Sequence, residues 1–180
     1  MEVKELARND EERESARLVK ERGYGIVVSS TPGERVRKKI SESSPQFKAY
    51  ARDATLPNVL VVFDGLAFGH TDGYNIRVAM YGLEQLRIAL PPIGTGSPYA
   101  TGWSYGPKRK MTAQDNTSIS SIAQLFATGP DPSQLMLSVY HNRFAKVPLN
   151  SALLARYGVP HFELKPDWQS GKTAQWRQVA

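Results

Sequence analysis

Two ionisable side chains at the start of the chain are spaced so that they could act together on a phosphate. Glu2 and Lys4 lie two residues apart in the segment Met1-Glu2-Val3-Lys4-Glu5-Leu6. On a β-strand, side chains at this spacing point to the same face. A carboxylate beside an ammonium can hold a divalent metal and a phosphate together, which predicts metal-assisted phosphate chemistry with Glu2 as the metal ligand. The alternative interpretation is an exposed strand face that carries alternating charge.

A second pair of polar residues lies farther along the chain, in a segment predicted to be helical. Gln46 and Tyr50 are one helical turn apart and therefore share a face. A glutamine can donate to a phosphate or to a metal-bound water, and a tyrosine can hydrogen-bond or stack beside it. The sequence therefore predicts that these two residues support the chemistry of Glu2 and Lys4.

The elements that must position these residues follow from hydrophobic periodicity and from helix and turn signals. The helix with Gln46 has an apolar stripe of Val36, Ile40, Phe47 and Ala51, with Pro45 predicted to kink it or to begin a second segment. The predicted strands are 2–6, 24–29, 59–63, 118–126, 135–140 and 162–164, and the predicted helices are 9–22, 34–51, 75–86 and 150–157. Residues 91–111 are predicted to form a long loop or an exposed hairpin, and the tail from 166 is predicted to be frayed.

This order of elements predicts an α/β or α+β fold with a mixed sheet flanked by helices. A chain of 180 residues fits one domain, which we divide into a core at 1–90, an extension at 91–165 and a polar tail at 166–180. No apolar run is long enough to span a membrane, and the charged start does not fit a signal peptide. The chain has no cysteine, which favours a reducing cytoplasm. Its net charge of +6 favours polyanionic partners such as DNA.

The order of an E-x-K strand, a helix, a strand and a helix with Q-x-x-x-Y resembles the PD-(D/E)xK nuclease superfamily, which has the restriction-endonuclease-like fold. The stretches EVKEL, STPGERVRKKISESSPQFKAYA, LPNVLVVFDG and DGYNIRVAMYGLEQL are similar to an uncharacterised bacterial group within it. These stretches lie between residues 2 and 87. NTSISSIAQLF and LSVYHNRFAKVPLN resemble a carboxy-terminal extension of that group, to which no chemistry is assigned.

The resemblance implies a role for each matching residue. Glu2 corresponds to the acid that binds Mg²⁺, and Lys4 to the lysine that positions or polarises the attacking water and the scissile phosphate. Gln46 and Tyr50 correspond to residues that line the site. The implied activity is metal-dependent hydrolysis of DNA.

The sequence departs from the family pattern at its first motif. The family has an aspartate on the preceding strand, usually ten or more residues upstream, whereas only Met1 precedes Glu2. Because Mg²⁺ sites usually use one or two carboxylates plus the substrate phosphate, metal affinity and cleavage should be weak or absent. Either the chain is a truncated or mis-started nuclease, which we favour, or it keeps the scaffold without the cleavage. In either case, residues 2–6 would leave a sheet edge uncovered, which could support a homo-oligomer.

Basic residues form two predicted nucleic-acid-binding surfaces. The first comprises Arg35, Arg37, Lys38 and Lys39 on the second helix, and the second comprises Lys108, Arg109 and Lys110, preceded by Trp103 and Tyr105. Cations beside aromatic residues suit nucleic-acid strands, which they can contact by charge and by stacking. The alternatives are a solvated helix face and a loop packed on the domain. A basic binding module without catalysis, for nucleic acid or protein, is therefore the second hypothesis.

Two further patterns have weaker functional interpretations. Gly102-Trp103-Ser104-Tyr105-Gly106 matches G-x-S-x-G but lacks the strand before it and the helix after it that a nucleophile elbow requires. His70, His141 and His161 are widely spaced and form no recognisable metal-ligand pair. His70 with Asp72 in a loop, and His141 at the end of a strand, are predicted to make local hydrogen bonds.

Overall fold

A computed structural model of the protein describes residues 1–6, 10–23, 31–51, 55–64, 73–127, 134–164 and 176–179. Its helices are α1 (Asp10–Arg22), α2 (Glu34–Tyr50), α3 (Tyr74–Tyr81) and α4 (Ser151–Arg156). Its strands are β1 (Glu2–Glu5), β2 (Val59–Asp64), β3 (Glu84–Ala89), β4 (Tyr99–Tyr105), β5 (Ser121–Ala127), β6 (Leu135–His141), β7 (His161–Leu164) and β8 (Trp176–Val179). The predicted class, a mixed sheet flanked by helices, is confirmed. None of the described helices is long and apolar enough to cross a bilayer.

The main sheet has six described strands in the order β1-β2-β5-β6-β7-β8. β1, β2 and β5 run parallel, β6 is antiparallel to β5, β7 is parallel to β6, and β8 is antiparallel to β7. β1 therefore forms the end of the described sheet. The predicted strand at 24–29 lies outside the described residues, as do the loop with His70 and Asp72 and residues 128–132 between two predicted strands.

The larger hydrophobic core lies between one face of this sheet and helices α2 and α3. Val36, Ile40 and Phe47, three of the four residues of the predicted stripe, are buried there, whereas Ala51 is only half-buried. α2 continues as one helix through Pro45, so the predicted second segment is not observed. On the opposite face, Val61, Ala123 and Val139 form a smaller core against residues that include Leu154 of α4. Asn150 caps α4, since its side chain accepts a hydrogen bond from the Ala152 backbone N–H.

The prediction of a helix at 75–86 is wrong after Tyr81. Gly82 follows α3 with a φ of 89°, and β3 begins at Glu84. Leu83 and Leu86, which helical spacing would place on one face with Ile76 and Met80, are exposed. Their spacing fits helical periodicity, but the Leu83 carbonyl instead accepts a 2.7 Å hydrogen bond from the N–H of Gly106, at the base of a hairpin.

Residues 91–111 were predicted to form a long loop or an exposed hairpin. They contribute β4 and the connection before it to a separate two-stranded antiparallel sheet, whose first strand, β3, lies before residue 91. A second correction concerns the tail, which was predicted to be frayed from 166. Residues 176–179 form β8, which pairs with β7 through its backbone, packs Trp176 against the larger core and pairs Arg177 with Glu163.

Candidate functional site

Glu2 and Lys4 lie on the face of β1 that α2 covers. The strand register places Glu2 opposite Leu60 and Lys4 opposite Val62, two residues that belong to the larger core. The Lys4 Nζ atom lies 2.8 Å from Oε1 of Glu2. The Lys4 side chain is only 28% exposed and the Glu2 side chain only 17%. The period of a β-strand therefore brings the pair together, as predicted.

Gln46 is the third member of this cluster, which we call the E-K-Q cluster (Glu2, Lys4 and Gln46). With its amide oriented so that the nitrogen faces Glu2, Gln46 donates hydrogen bonds to Oε1 and Oε2, at 2.7 and 3.0 Å. This orientation follows from the hydrogen-bonding partners around the amide. The burial of Ile40 and Phe47 fixes the rotation of α2 about its axis, and that rotation carries Gln46 to β1.

The electrostatics of the cluster keep Lys4 protonated. The hydrogen bond to Glu2 raises the Lys4 pKa above its ordinary value, burial opposes that increase, and the charges of Glu2 and Glu42 add to it. Glu42, on α2, is also within 3.3 Å of Lys39. Lys4 is therefore a fixed cation that can bind a phosphate oxygen, and it is not a base at neutral pH.

The cluster by itself does not fit a resident Mg²⁺ ion. Glu2 contributes the one carboxylate of the E-K-Q cluster, and both of its oxygens already accept hydrogen bonds. A metal ion at Glu2 would also lie close to the Lys4 ammonium and be repelled by it. Across the described ranges, no three His, Cys, Asp or Glu side chains come together as a potential metal site.

Tyr50 follows Gln46 by one turn of α2 but faces solvent. Its side chain is 74% exposed. The structure therefore brings together three of the four residues predicted for the site, and it places Tyr50 at the end of α2, where it could contact a ligand only from the surface.

The four cations predicted on the second helix do not form one surface. Arg37 is only 8% exposed, and its guanidinium donates a 2.9 Å hydrogen bond to the carbonyl of Pro32. Lys39 is half-buried and paired with Glu42, whereas Lys38 is exposed and Arg35 is half-buried. Because successive helix residues are about 100° apart, a run of four in five must wrap around the helix. Arg37 therefore anchors the turn before α2 and is poorly placed to contact phosphates.

The second predicted surface is more open. Lys108 and Arg109 are exposed and Lys110 is half-buried. The Lys110 N–H is 3.1 Å from the carbonyls of both Ala79 and Met80, so this segment is held against the end of α3. The G-x-S-x-G segment lies within β4 and at its end, so the nucleophile-elbow interpretation finds no strand-turn-helix geometry here.

The structure also brings together two histidines that the sequence did not pair. His141 Nε2 lies 3.1 Å from His161 Nδ1, across the parallel strands β6 and β7, and His161 is almost fully buried. Burial and the neighbouring His161 lower the pKa of His141, while the Glu163 charge opposes this. The twenty-residue separation gave no metal-ligand pattern, and only the pairing of β6 with β7 could have revealed the contact.

Comparisons with known proteins give no family for this chain. No family model matches it, and neither the curated proteins nor the solved structures give a match.

Proposed function

We propose that the protein is a DNA-binding domain related to the PD-(D/E)xK nucleases, with weak or absent cleavage activity. The observation that carries this proposal is the convergence of Glu2 and Lys4 on β1 with Gln46 on α2, which lies more than forty residues later in the sequence. These are three of the residues that the resemblance assigns to the site. The restriction-endonuclease-like core, the DNA partner and a cytoplasmic location are parts of the same proposal.

The chemistry follows from what each side chain can do. Glu2 orients the Lys4 ammonium, which keeps donors for a phosphate oxygen, whereas the Gln46 amide nitrogen already donates to both oxygens of Glu2. An Mg²⁺ ion would supply the Lewis acid of a complete relative, but the cluster contributes only one carboxylate, and that carboxylate is already hydrogen-bonded. The arrangement therefore favours holding a phosphate over cleaving a phosphodiester.

A plasmid-nicking assay with Mg²⁺ or Mn²⁺ tests the proposal. We expect at most trace nicking by the wild-type chain, and none by Glu2→Ala. Glu5→Ala is the matched control because Glu5 lies on the same strand but is exposed. Robust nicking that Glu2→Ala abolishes would overturn the proposed loss of activity. Robust nicking that Glu2→Ala leaves intact would show that the site is elsewhere.

The second candidate is a basic module that binds nucleic acid or protein without any link to catalysis. The exposed cations Lys38, Lys108 and Arg109 favour it. This candidate predicts DNA binding that weakens with salt, persists in EDTA and is unaffected by Glu2→Ala. Loss of binding on Lys38→Glu would place the contact on α2. Homo-oligomerisation through β1 is a separate proposal, and light scattering over a range of concentrations would test it.

A further inference from the structure

The outer part of the hairpin formed by β3 and β4 is exposed and carries several apolar side chains. Gln85, Leu86, Arg87 and Ile88 follow one another in β3 and are all exposed, although successive residues of a strand point to opposite faces. Ile88 is 56% exposed and Leu90 77%, and Ile93, in the loop at the tip, is fully exposed. Exposed aliphatic groups gathered on one element indicate a contact surface.

The charge of the same segment indicates an anionic partner. Residues 85–114 contain no aspartate or glutamate and carry Arg87, Lys108, Arg109 and Lys110. This segment of 30 residues therefore contributes +4 of the net charge of +6 of the chain. Two copies of such a segment would repel each other, which argues against self-association through the hairpin.

The base of the hairpin is rigidly attached to the domain. Gly106 donates a 2.7 Å hydrogen bond to the carbonyl of Leu83, and Met111 donates a 2.8 Å bond to that of Met80. A Cβ at Gly82 would lie 2.4 Å from the Gly106 carbonyl oxygen, so the two strands leave the domain in close contact. The backbone that carries the cations at 108–110 is therefore held at the base of the hairpin.

Hydrogen bonds connect the base of the hairpin to one end of the strands of the main sheet. The Asn116 amide donates to the carbonyl of Lys110, and the Ser120 N–H donates to the carbonyl of Asn58, directly before β2. The base of the hairpin therefore lies towards the end of the main sheet at which the strands β2 and β5 begin. Glu2, the first residue of β1, lies near the same end of the sheet because it pairs with Leu60, close to the start of the parallel strand β2.

We propose that the β3–β4 hairpin and the cations at its base form an arm that binds double-stranded DNA. This inference rests on the DNA partner in the proposed function and adds the element that makes the contact. The major groove is about 12 Å wide and admits a two-stranded ribbon, and β4 is long enough, at roughly 20 Å, to reach into it. Lys108 and Arg109 contact phosphates while the apolar tip contacts base edges or sugars.

The hairpin also contains a β-bulge, which would help it to follow a DNA groove. Its register shifts between Arg87 and Ile88, where Thr101 is the extra residue on β4 and Gly102 has a φ of 139°. The Thr101 hydroxyl donates to the carbonyl of Arg87 at 3.2 Å, which holds the bulge. A bulge increases the right-handed twist of a ribbon, and a twisted ribbon follows a groove better than a flat one.

Fluorescence anisotropy with a labelled DNA duplex in EDTA tests the arm, using chains that also carry Glu2→Ala so that cleavage plays no part. We expect Lys108→Glu with Arg109→Glu to weaken binding about tenfold or more, and to reduce the slope of log K against log salt by about 2. Ile88→Ser with Ile93→Ser should weaken binding several-fold and leave the slope unchanged. Lys20→Glu, on an exposed position of α1, is the charge control and should have little effect.

Equal binding by the wild type and both hairpin variants would overturn the inference, and so would an equal loss with Lys20→Glu. Wild-type binding to phosphatidylserine vesicles without binding to the duplex would assign the arm to a membrane and overturn it as well. Circular dichroism melting of each variant shows whether the fold is intact. Hairpin-dependent binding without nicking supports the arm whether or not the E-K-Q cluster is catalytic, whereas nicking with hairpin-independent binding refutes only the arm.

Discussion

The Lys4 ammonium lies 2.8 Å from a carboxylate oxygen of Glu2, two residues before it on the same strand. This contact means that the two residues best suited to phosphate chemistry already satisfy each other. Gln46 hydrogen-bonds to the same carboxylate from α2. A metal ion would have to compete with both partners, so the cluster is better suited to binding an anion at Lys4 than a cation at Glu2.

Replacement of Gln46 by glutamate should create the metal site that the cluster lacks. The new carboxylate would lie where the Gln46 amide now approaches both oxygens of Glu2, so the two acids would repel each other without a cation. We expect Gln46→Glu to lower the melting temperature in EDTA at pH 8, and Mn²⁺ to restore it. Differential scanning fluorimetry with and without Mn²⁺ measures both effects.

The control for this prediction is Gln178→Glu, which adds the same charge at an exposed position of β8. It should show little change in either condition. A melting temperature of Gln46→Glu that does not respond to Mn²⁺ would show that the two side chains do not approach each other as described.

The sequence correctly predicted the elements in which the hydrophobic period and the helix-ending or turn signals agree. Val36, Ile40 and Phe47 recur on one helical face, and all three are buried. Leu83 and Leu86 also fit that period, but Gly82 ends the helix and the hairpin pairing takes over. β8 was missed because four residues are too few to show a strand period, and its formation depends on pairing with β7 and on the packing of Trp176 against the larger core.

The candidate site, like the fold, was predicted only in part. The spacing of Glu2 and Lys4 determined their contact through the strand period alone. The approach of Gln46 to Glu2 depended on how α2 packs on the sheet. The apolar stripe of α2 indicated which side of the helix faces the sheet. Arg37 was assigned to a surface because charge usually indicates exposure, whereas its guanidinium is held by the Pro32 carbonyl. No local pattern could have revealed that.

Ser43 offers a stability test close to the cluster. It is fully buried on α2, and its hydroxyl has no hydrogen-bond partner among the described residues. An unsatisfied buried hydroxyl carries an uncompensated desolvation penalty, so Ser43→Ala should stabilise the protein by about 1 kcal/mol. Urea unfolding measures the change in the free energy of unfolding.

Ser120→Ala is the contrasting variant, because that hydroxyl is buried and fully used. It donates a 2.6 Å hydrogen bond to the carbonyl of Val147 and accepts a 2.8 Å bond from the Asn58 N–H. Its loss should destabilise the protein by roughly 2 kcal/mol. Equal destabilisation by both substitutions would indicate that Ser43 has a partner that the described residues do not provide.

Gly73 should be the less tolerant of two glycines that share a left-handed backbone conformation. Its φ is 68°, and a Cβ would lie 1.7 Å from the hydroxyl oxygen of Tyr140, a buried core residue. Gly158 has a similar φ of 64°, but a Cβ there would meet no atom within 4 Å. Both alanine variants carry backbone strain of about 1 kcal/mol, and Gly73→Ala adds overpacking of about 2 kcal/mol. Urea unfolding of the two variants separates these contributions, and equal losses would contradict the packing around Tyr140.

The pair of His141 and His161 predicts a dependence of stability on pH. Burial and His161 lower the His141 pKa, so the folded state binds this proton less readily than the unfolded state does. The ordinary histidine value is about 6.5, so the contribution of His141 to stability is present above that pH. It is lost as the pH falls through the lowered pKa of the folded state, because the unfolded state then binds more protons. Glu163, the charged neighbour, opposes this effect without reversing it.

His141→Gln should reduce this dependence, because glutamine keeps a polar group beside His161 Nδ1 but does not titrate. We expect the wild type to lose more stability than His141→Gln between neutral pH and pH values just below the ordinary histidine pKa. Urea unfolding at a series of pH values measures the difference. If His141→Gln and the wild type give parallel curves, the acid sensitivity of the protein comes from other groups, and the contact between β6 and β7 does not control it.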